Sequence, residues 1–146
     1  MEIVLHINKY EELDKALDIS NQVFKPSAEE LLKYHNKNDW SNKIDNGGLL
    51  ITAWDNKKIV GFSICYPKEG NFHIWNVGVL ENYRGFGVWK KMYEAIQKFA
   101  LEKKFKQLTL NTYKNKFPNM YSFCLERGFR EYKAEVGKSY FIKDVV

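Results

Sequence analysis

The sequence YRGFGVW, residues 83–89, lies between a strand-like run and the strongest amphipathic helix pattern of the chain. A helix that starts directly after a strand aims its unpaired N–H groups and the positive end of its dipole at one point. Gly85 and Gly87 have no side chains, so a phosphate can approach the backbone closely there. The stretch therefore predicts an anion site, with a purely packing role for the glycines as the alternative.

Outward from this turn, hydrophobic periodicity predicts the element order βααβββαβαββ. Capping-type residues indicate a first helix from Asn8 and a second from Ser27, and the polar residues 36–48 indicate a loop. Helical spacing covers residues 88–100, a further helix is predicted at 118–127, and strand-like runs fall at 3–7, 49–54, 59–66, 72–79, 108–112, 129–136 and 139–145. An antiparallel meander followed by a βαβ unit predicts one α/β (α+β) domain over residues 1–146. We expect a mixed central sheet of about seven strands with helices on both faces.

Composition narrows the classes of protein. The chain has 146 residues, 45% of them hydrophobic, which suits one domain with a single core. Cys65 and Cys124 are too far apart in sequence to suggest a zinc site or a disulfide framework, so we expect no metal and a reduced, cytoplasmic protein. No apolar run approaches the ~18 residues of a membrane span. The net charge of +5 is spread over scattered lysines, which disfavours a nucleic-acid-binding module and leaves a polyanionic small ligand open.

Two motifs resemble one family. Residues 79–88, VLENYRGFGV, resemble the signature V-x-P-x-Y-R-G-x-G-I/V of the GNAT acetyltransferases, and residues 123–129, FCLERGF, are similar to the second motif of that family, L-Y-E-K-L-G-F. The spacing between the motifs and the element order match as well, so the resemblance covers nearly the whole chain. It implies a GNAT fold and acetyl-coenzyme A (acetyl-CoA) as the cofactor.

The resemblance also implies how the cofactor would lie. Backbone amides of the turn would hold its pyrophosphate; they belong to Arg84, Gly85, Phe86, Gly87, Val88 and Trp89. The pantetheine arm would hydrogen-bond to the strand at Val77, Gly78 and Val79, where Gly78 either admits the ligand or marks a bulge. Trp89 stands where the family has Gly or Ala, and Asn115 lies near the position of the family's asparagine.

The candidate catalytic residues agree less closely with the pattern of the family. Cys124 occupies the place of the tyrosine that protonates the departing thiolate in the family, and Tyr121 lies one helical turn earlier. Either could be the general acid, and a buried, inert Cys124 is the alternative. His73 is the only titratable side chain of its strand; it is a candidate base, a structural histidine, or dispensable if water relays the proton. Strict alternation places His73 on the face of Trp75, Val77 and Val79.

The acceptor site implied by the resemblance would include Phe24, Tyr34 and Trp40, close to His35 and the turn at Gly137. Trp40, alone in a polar segment, either folds back onto the core or forms a wall of that pocket. The expected activity is direct transfer of an acetyl group from acetyl-CoA to an amine. The alternative is a GNAT-fold binding or regulatory protein without turnover. Pairing through the last strands would give a homodimer.

Overall fold

The computed structural model describes residues 1–27 and 36–145. Seven strands are present: β1 (Ile3–Ile7), β2 (Leu49–Asp55), β3 (Lys58–Lys68), β4 (Asn71–Val79), β5 (Gln107–Tyr113), β6 (Arg130–Glu135) and β7 (Lys138–Asp144). Four α-helices accompany them in the described residues: α1 (Leu13–Phe24), α2 (Lys37–Asp45), α3 (Val88–Glu102) and α4 (Pro118–Glu126). The helix predicted from Ser27 onward, with Tyr34 and His35, lies outside the described residues.

One sheet holds all seven strands in the order β1-β2-β3-β4-β5-β7-β6, which confirms the predicted mixed sheet. Every neighbouring pair is antiparallel except β4 and β5, which run parallel. That parallel pairing covers three residues of each strand and ends where Ile74 faces Leu110. The remaining parts of β4 and β5 are not paired with each other, so the sheet opens between them.

Apolar side chains fill both faces of the sheet. On one face, Met92 and Ile96 of α3 pack with Phe72 of β4 in a cluster that α4 extends. On the other face, Trp40 of α2 packs with Phe62 of β3 in a cluster completed by α1. These five side chains are 0% exposed, and each large apolar side chain buried in this way contributes about 1.5–3 kcal/mol. Helices therefore cover both faces, as predicted.

Most of residues 36–48, predicted to be a loop, form helix α2, so this prediction was wrong. The side chain of Asn36 accepts a hydrogen bond from the N–H of Asn38 at 2.8 Å and caps α2. Only Trp40 and Ile44 of α2 are buried, one turn apart on an otherwise polar helix. A pattern of only two apolar residues does not distinguish a helix from a loop in the sequence.

The predicted helix start at Asn8 was wrong as well. Asn8 has a left-handed backbone (φ 51°), and its side chain accepts from the N–H of Leu50, which ties it to β2 instead of capping a helix. A one-turn 3-10 helix, Tyr10–Glu12, follows, and α1 starts only at Leu13.

A β-bulge interrupts β4. Ile64 pairs with Asn76 while the next residue, Cys65, pairs with Ile74, so Trp75 is left without a partner on β3. An extra residue shifts the alternation of side chains by one position. Val77 and Val79 consequently pack with the α3 cluster, whereas Trp75 packs with the α1 and α2 cluster. The prediction that His73 shares a face with Val77 and Val79 is therefore wrong.

Candidate functional site

A cleft of about 200 Å³ lies where β4 and β5 separate. Strands and two helix ends line it through Phe24, Ile74, Trp75, Asn76, Val77, Leu110, Asn111, Thr112, Tyr113, Phe117 and Met120. Beyond Ile74, β4 has β3 on one side but no strand partner toward β5. Its backbone N–H and C=O groups on that side can accept an extended ligand as an added half-strand.

The glycine turn lies between the end of β4 and the start of α3. Gly85 (φ 84°) and Gly87 (φ 81°) have left-handed backbones, and a Cβ added at either would meet no atom within 4 Å. The glycines are therefore required by backbone conformation and not by close packing. Gly87 caps α3, so the first N–H groups of this helix have no partner within it. Open space above unpaired N–H groups and a positive helix end suits a phosphate.

Arg84 does not offer its amide to a ligand as predicted. Its N–H donates to the carbonyl of Glu81 at 3.2 Å and closes the short 3-10 helix Glu81–Tyr83. Its guanidinium Nε donates to the carbonyl of Val79 at 3.0 Å. The guanidinium of Arg84 thus ties the turn to the end of β4, and its N–H ties the turn to the 3-10 helix.

Trp89 does not close the turn. Its ring centroid lies 5.3 Å from that of Phe123 in α4 and 5.8 Å from that of Tyr93 in α3. The indole therefore packs between the two helices. Its Nε1 is buried, with no hydrogen-bond partner in the part of the chain that the structure describes.

Gly78 is explained by packing. A Cβ there would lie 2.6 Å from Cε1 of Phe62 and 3.4 Å from Cγ2 of Val23 in α1. Phe62 is fully buried and stacked on Trp40, so it has little room to move. The bulge that was the alternative explanation for Gly78 lies instead at Trp75.

Neither predicted acid reaches the cleft. Cys124 is 0% exposed in the α3 cluster, and burial raises the pKa of its thiol to about 12. Tyr121 packs edge-on against Phe141, with ring centroids 5.3 Å apart. The phenol that does line the cleft belongs to Tyr113, the last residue of β5, which is 42% exposed. Sequence reasoning missed it because the separation of β4 from β5, which exposes it, leaves no local pattern.

His73 lies outside the cleft. It is 4% exposed, and its Nδ1 is hydrogen-bonded to Oγ1 of Thr109 at 2.7 Å. Burial, assisted by Lys68, Lys138 and Lys43, lowers the pKa of His73 to about 3. The imidazole is therefore neutral at pH 7, and a group of such low basicity is a poor general base.

A second pocket of about 280 Å³, which we name the polar groove, lies beside the cleft. His73 and Thr109 are its buried residues, and Lys68, Glu69, Asn71, Asn111, Tyr132, Lys133 and Tyr140 complete its lining. Asn111 lines both the polar groove and the cleft. The two pockets therefore meet at this residue.

The remaining predicted site residues lie in three different places: the cleft, the core and an exposed turn. Phe24 lines the cleft, edge-on to Phe117 with ring centroids 6.0 Å apart. Trp40 is 0% exposed, stacked on Phe62 and edge-on to Trp75, so it belongs to the core and is not a pocket wall. Asn115 is exposed in the turn between β5 and α4 and does not line the cleft.

Within residues 1–27 and 36–145, no three His, Cys, Asp or Glu side chains cluster in a way that could hold a metal ion. None of the helices in those ranges is long and apolar enough to cross a membrane.

The family model for the acetyltransferase (GNAT) family matches residues 12–129. No curated protein sequence matches the chain. The PaiA N-acetyltransferase of Thermoplasma acidophilum, solved with coenzyme A, is similar in structure with a TM-score of 0.86 at 15% identity, over 99% of both chains. A GNAT-family acetyltransferase of Staphylococcus aureus has a TM-score of 0.73 at 20% identity, over 98% of this chain and 100% of that one.

The structural likenesses concern the fold, whereas the family model rests on the sequence and spans most of the chain. The family uses acetyl-CoA, and an open glycine turn beside an unpaired strand edge fits a ligand with a pyrophosphate and an extended arm. This chain belongs to the GNAT family of acetyltransferases.

Proposed function

We propose that the chain transfers the acetyl group of acetyl-CoA directly to the amine of an acceptor. The observation that carries this proposal is the continuity of the open edge of β4 with the glycine turn and the start of α3. The two features together suit the two parts of coenzyme A that the family binds.

The turn would hold the pyrophosphate through backbone N–H groups of Gly85, Phe86, Gly87, Val88 and Trp89. The positive end of α3 favours the phosphate charge. Val77 and its neighbours on β4 would pair with the pantetheine arm through backbone groups that face away from β3. Acetyl-CoA, when bound, supplies an acetyl group activated as a thioester.

The residues of the cleft provide alignment and polar groups. Strand backbone and apolar walls at Ile74, Val77 and Met120 restrict how an acceptor can approach. N–H groups of β4 that face the opening are fixed donors, which suit negative charge developing on a carbonyl oxygen. Tyr113 places a phenol in the same cleft, and a phenol can return a proton to a thiolate leaving group. We propose Tyr113 as the general acid in place of Tyr121 or Cys124.

A second candidate function is cofactor binding without turnover. It is favoured by the burial of Cys124 and the packing of Tyr121, which leave the second family motif without an acid in the cleft. Transfer to an amine acceptor decides between the two functions. The cytoplasmic location and the homodimer expected from the sequence stay predictions.

The first test is calorimetric titration with acetyl-CoA, with desulfo- and dephospho-CoA for comparison. Gly85→Ala is the informative variant, and Gly70→Ala is its matched control. Both glycines have a φ near 84°, and at both a Cβ meets nothing within 4 Å, so both substitutions place alanine in the same left-handed region without a clash. We expect micromolar binding that Gly85→Ala weakens at least about tenfold, or about 1.4 kcal/mol, and Gly70→Ala leaves unchanged. Equal effects of the two variants, or no binding by the unaltered protein, would remove the proposed site.

A further inference from the structure

The polar groove is a pocket to which neither the packing of the fold nor the binding of the cofactor gives a role. Two of its residues, His73 and Thr109, are 4% and 8% exposed and hydrogen-bonded to each other. Around them stand the phenols of Tyr132 and Tyr140 and the side-chain amides of Asn71 and Asn111. The lining therefore offers both aromatic surface and hydrogen-bond donors to one ligand.

Positive charge predominates at the groove. Lys68 and Lys133 line it, and the ammonium groups of Lys133 and Lys138 each lie 5.1 Å from the ring centroid of Tyr140. Lys133 also pairs with Glu135 at 3.0 Å, and Glu69 is the one acidic residue of the lining. Lys68 and Lys138 have no ion pair with any described residue. The lining thus holds two lysines and one carboxylate, and Lys68 is the one of these two lysines without an ion pair to a described residue.

The groove opens toward the place where acetyl transfer would occur. Asn111 lies on the boundary with the cleft, and Thr109 lies two residues earlier on β5. Two residues of a strand span roughly 7 Å. A ligand that lies along β5 can therefore place one end in the cleft and the other near Lys68 and His73. The neutral imidazole of His73 can hydrogen-bond to such a ligand without adding charge.

We infer that the polar groove binds the acceptor, and that the acceptor is an amine that also carries an anionic group. The amine points past Asn111 into the cleft, and the anion lies against Lys68 and Lys133. This inference rests on the proposed acetyl transfer and adds the class of its substrate. A carboxylate and a phosphate share the chemistry that two lysines recognise, so the test includes both.

Two matched pairs of amines test the inference. The first is 4-(2-aminoethyl)benzoate against 2-phenylethylamine, and the second is tyramine O-phosphate against tyramine. Each pair differs by one anionic group, at the end of the ring opposite the aminoethyl chain. We expect kcat/KM to be at least about tenfold higher for the anionic member, as for one charge-assisted contact of about 1.4 kcal/mol. The pair with the larger preference identifies carboxylate or phosphate as the recognised group.

Lysine variants test which residues cause the preference for the anionic amines. Lys68→Met combined with Lys133→Met should reduce it to about twofold, while Lys98→Met, an exposed change on α3, should leave it unchanged. Affinity for acetyl-CoA should be the same in all variants, which separates this inference from the proposed cofactor site. A preference that persists in the double variant overturns the inference, as does equal or faster transfer to the uncharged amines, or transfer to none of the four.

Equilibrium binding gives a readout that does not depend on turnover. Calorimetry should show tighter binding of 4-(2-aminoethyl)benzoate than of 2-phenylethylamine to the protein. The difference should shrink as the salt concentration rises, because exposed charges are screened. Equal dissociation constants for the two amines overturn the inference whatever the outcome with acetyl-CoA.

Discussion

Replacing Gly78 with Ala should destabilise the protein through one contact. The new Cβ would lie 2.6 Å from Cε1 of Phe62, well inside van der Waals contact. Phe62 is fully buried and held by Trp40, so either the ring or β4 must shift. Overpacking of this kind costs about 1–3 kcal/mol, which for a chain of this size lowers the Tm by about 3–10 °C.

Urea unfolding of a double-mutant cycle measures the contact. Phe62→Leu alone should cost about 1–2 kcal/mol, because it leaves a cavity beside Trp40. Combined with Gly78→Ala it should cost less than the sum of the two, with a coupling of about 1 kcal/mol, since the shorter side chain makes room for the methyl group. Additivity within about 0.5 kcal/mol would refute the packing explanation and return Gly78 to the role of admitting a ligand.

Three further predictions concern the candidate acids and His73. Tyr113→Phe should lower kcat by about 10²-fold without changing the dissociation constant of acetyl-CoA, whereas Tyr121→Phe should leave kcat unchanged in the same assay. Cys124→Ala should lower the Tm but keep kcat, because the thiol is buried outside the cleft. Burial lowers the pKa of His73 from 6.5 to about 3, so the unfolded chain binds a proton that the folded protein does not. The stability that this gives is complete above pH 6.5 and decreases as the pH falls toward 3. Urea unfolding at pH 7 and pH 4.5 should show about 2–3 kcal/mol more loss for the unaltered protein than for His73→Gln.

Local patterns predicted most of the framework. The helical spacing around Met92 and Ile96 identified α3, and the glycine turn before it has the left-handed backbone that its residues suggest. The strand runs and their order also agree with the structure. Each of these features depends on neighbours in sequence, which is why periodicity and turn residues reveal them.

The errors arose where contacts distant in sequence decide the structure. α2 is polar except for Trp40 and Ile44, and its position depends on Phe62 and Trp75 beneath it. Asn8 has the residue type of a helix cap but hydrogen-bonds to Leu50, 42 positions away. The local sequence of α2 cannot be distinguished from that of a loop, and the local sequence at Asn8 cannot be distinguished from that of a helix cap.

The bulge at Trp75 explains both the wrong prediction for the face of His73 and the origin of the cleft. β4 pairs with β5 as far as Ile74, and Trp75, the residue of β4 without a partner on β3, comes directly after it. A bulge bends its strand and increases the local twist, which turns the rest of β4 away from β5. The same inserted residue shifts the alternation, so His73 lines the polar groove while Val77 lines the cleft. A β4 that continued regularly beyond Ile74 would keep its partner, and the backbone groups proposed to bind the cofactor would be occupied by β5.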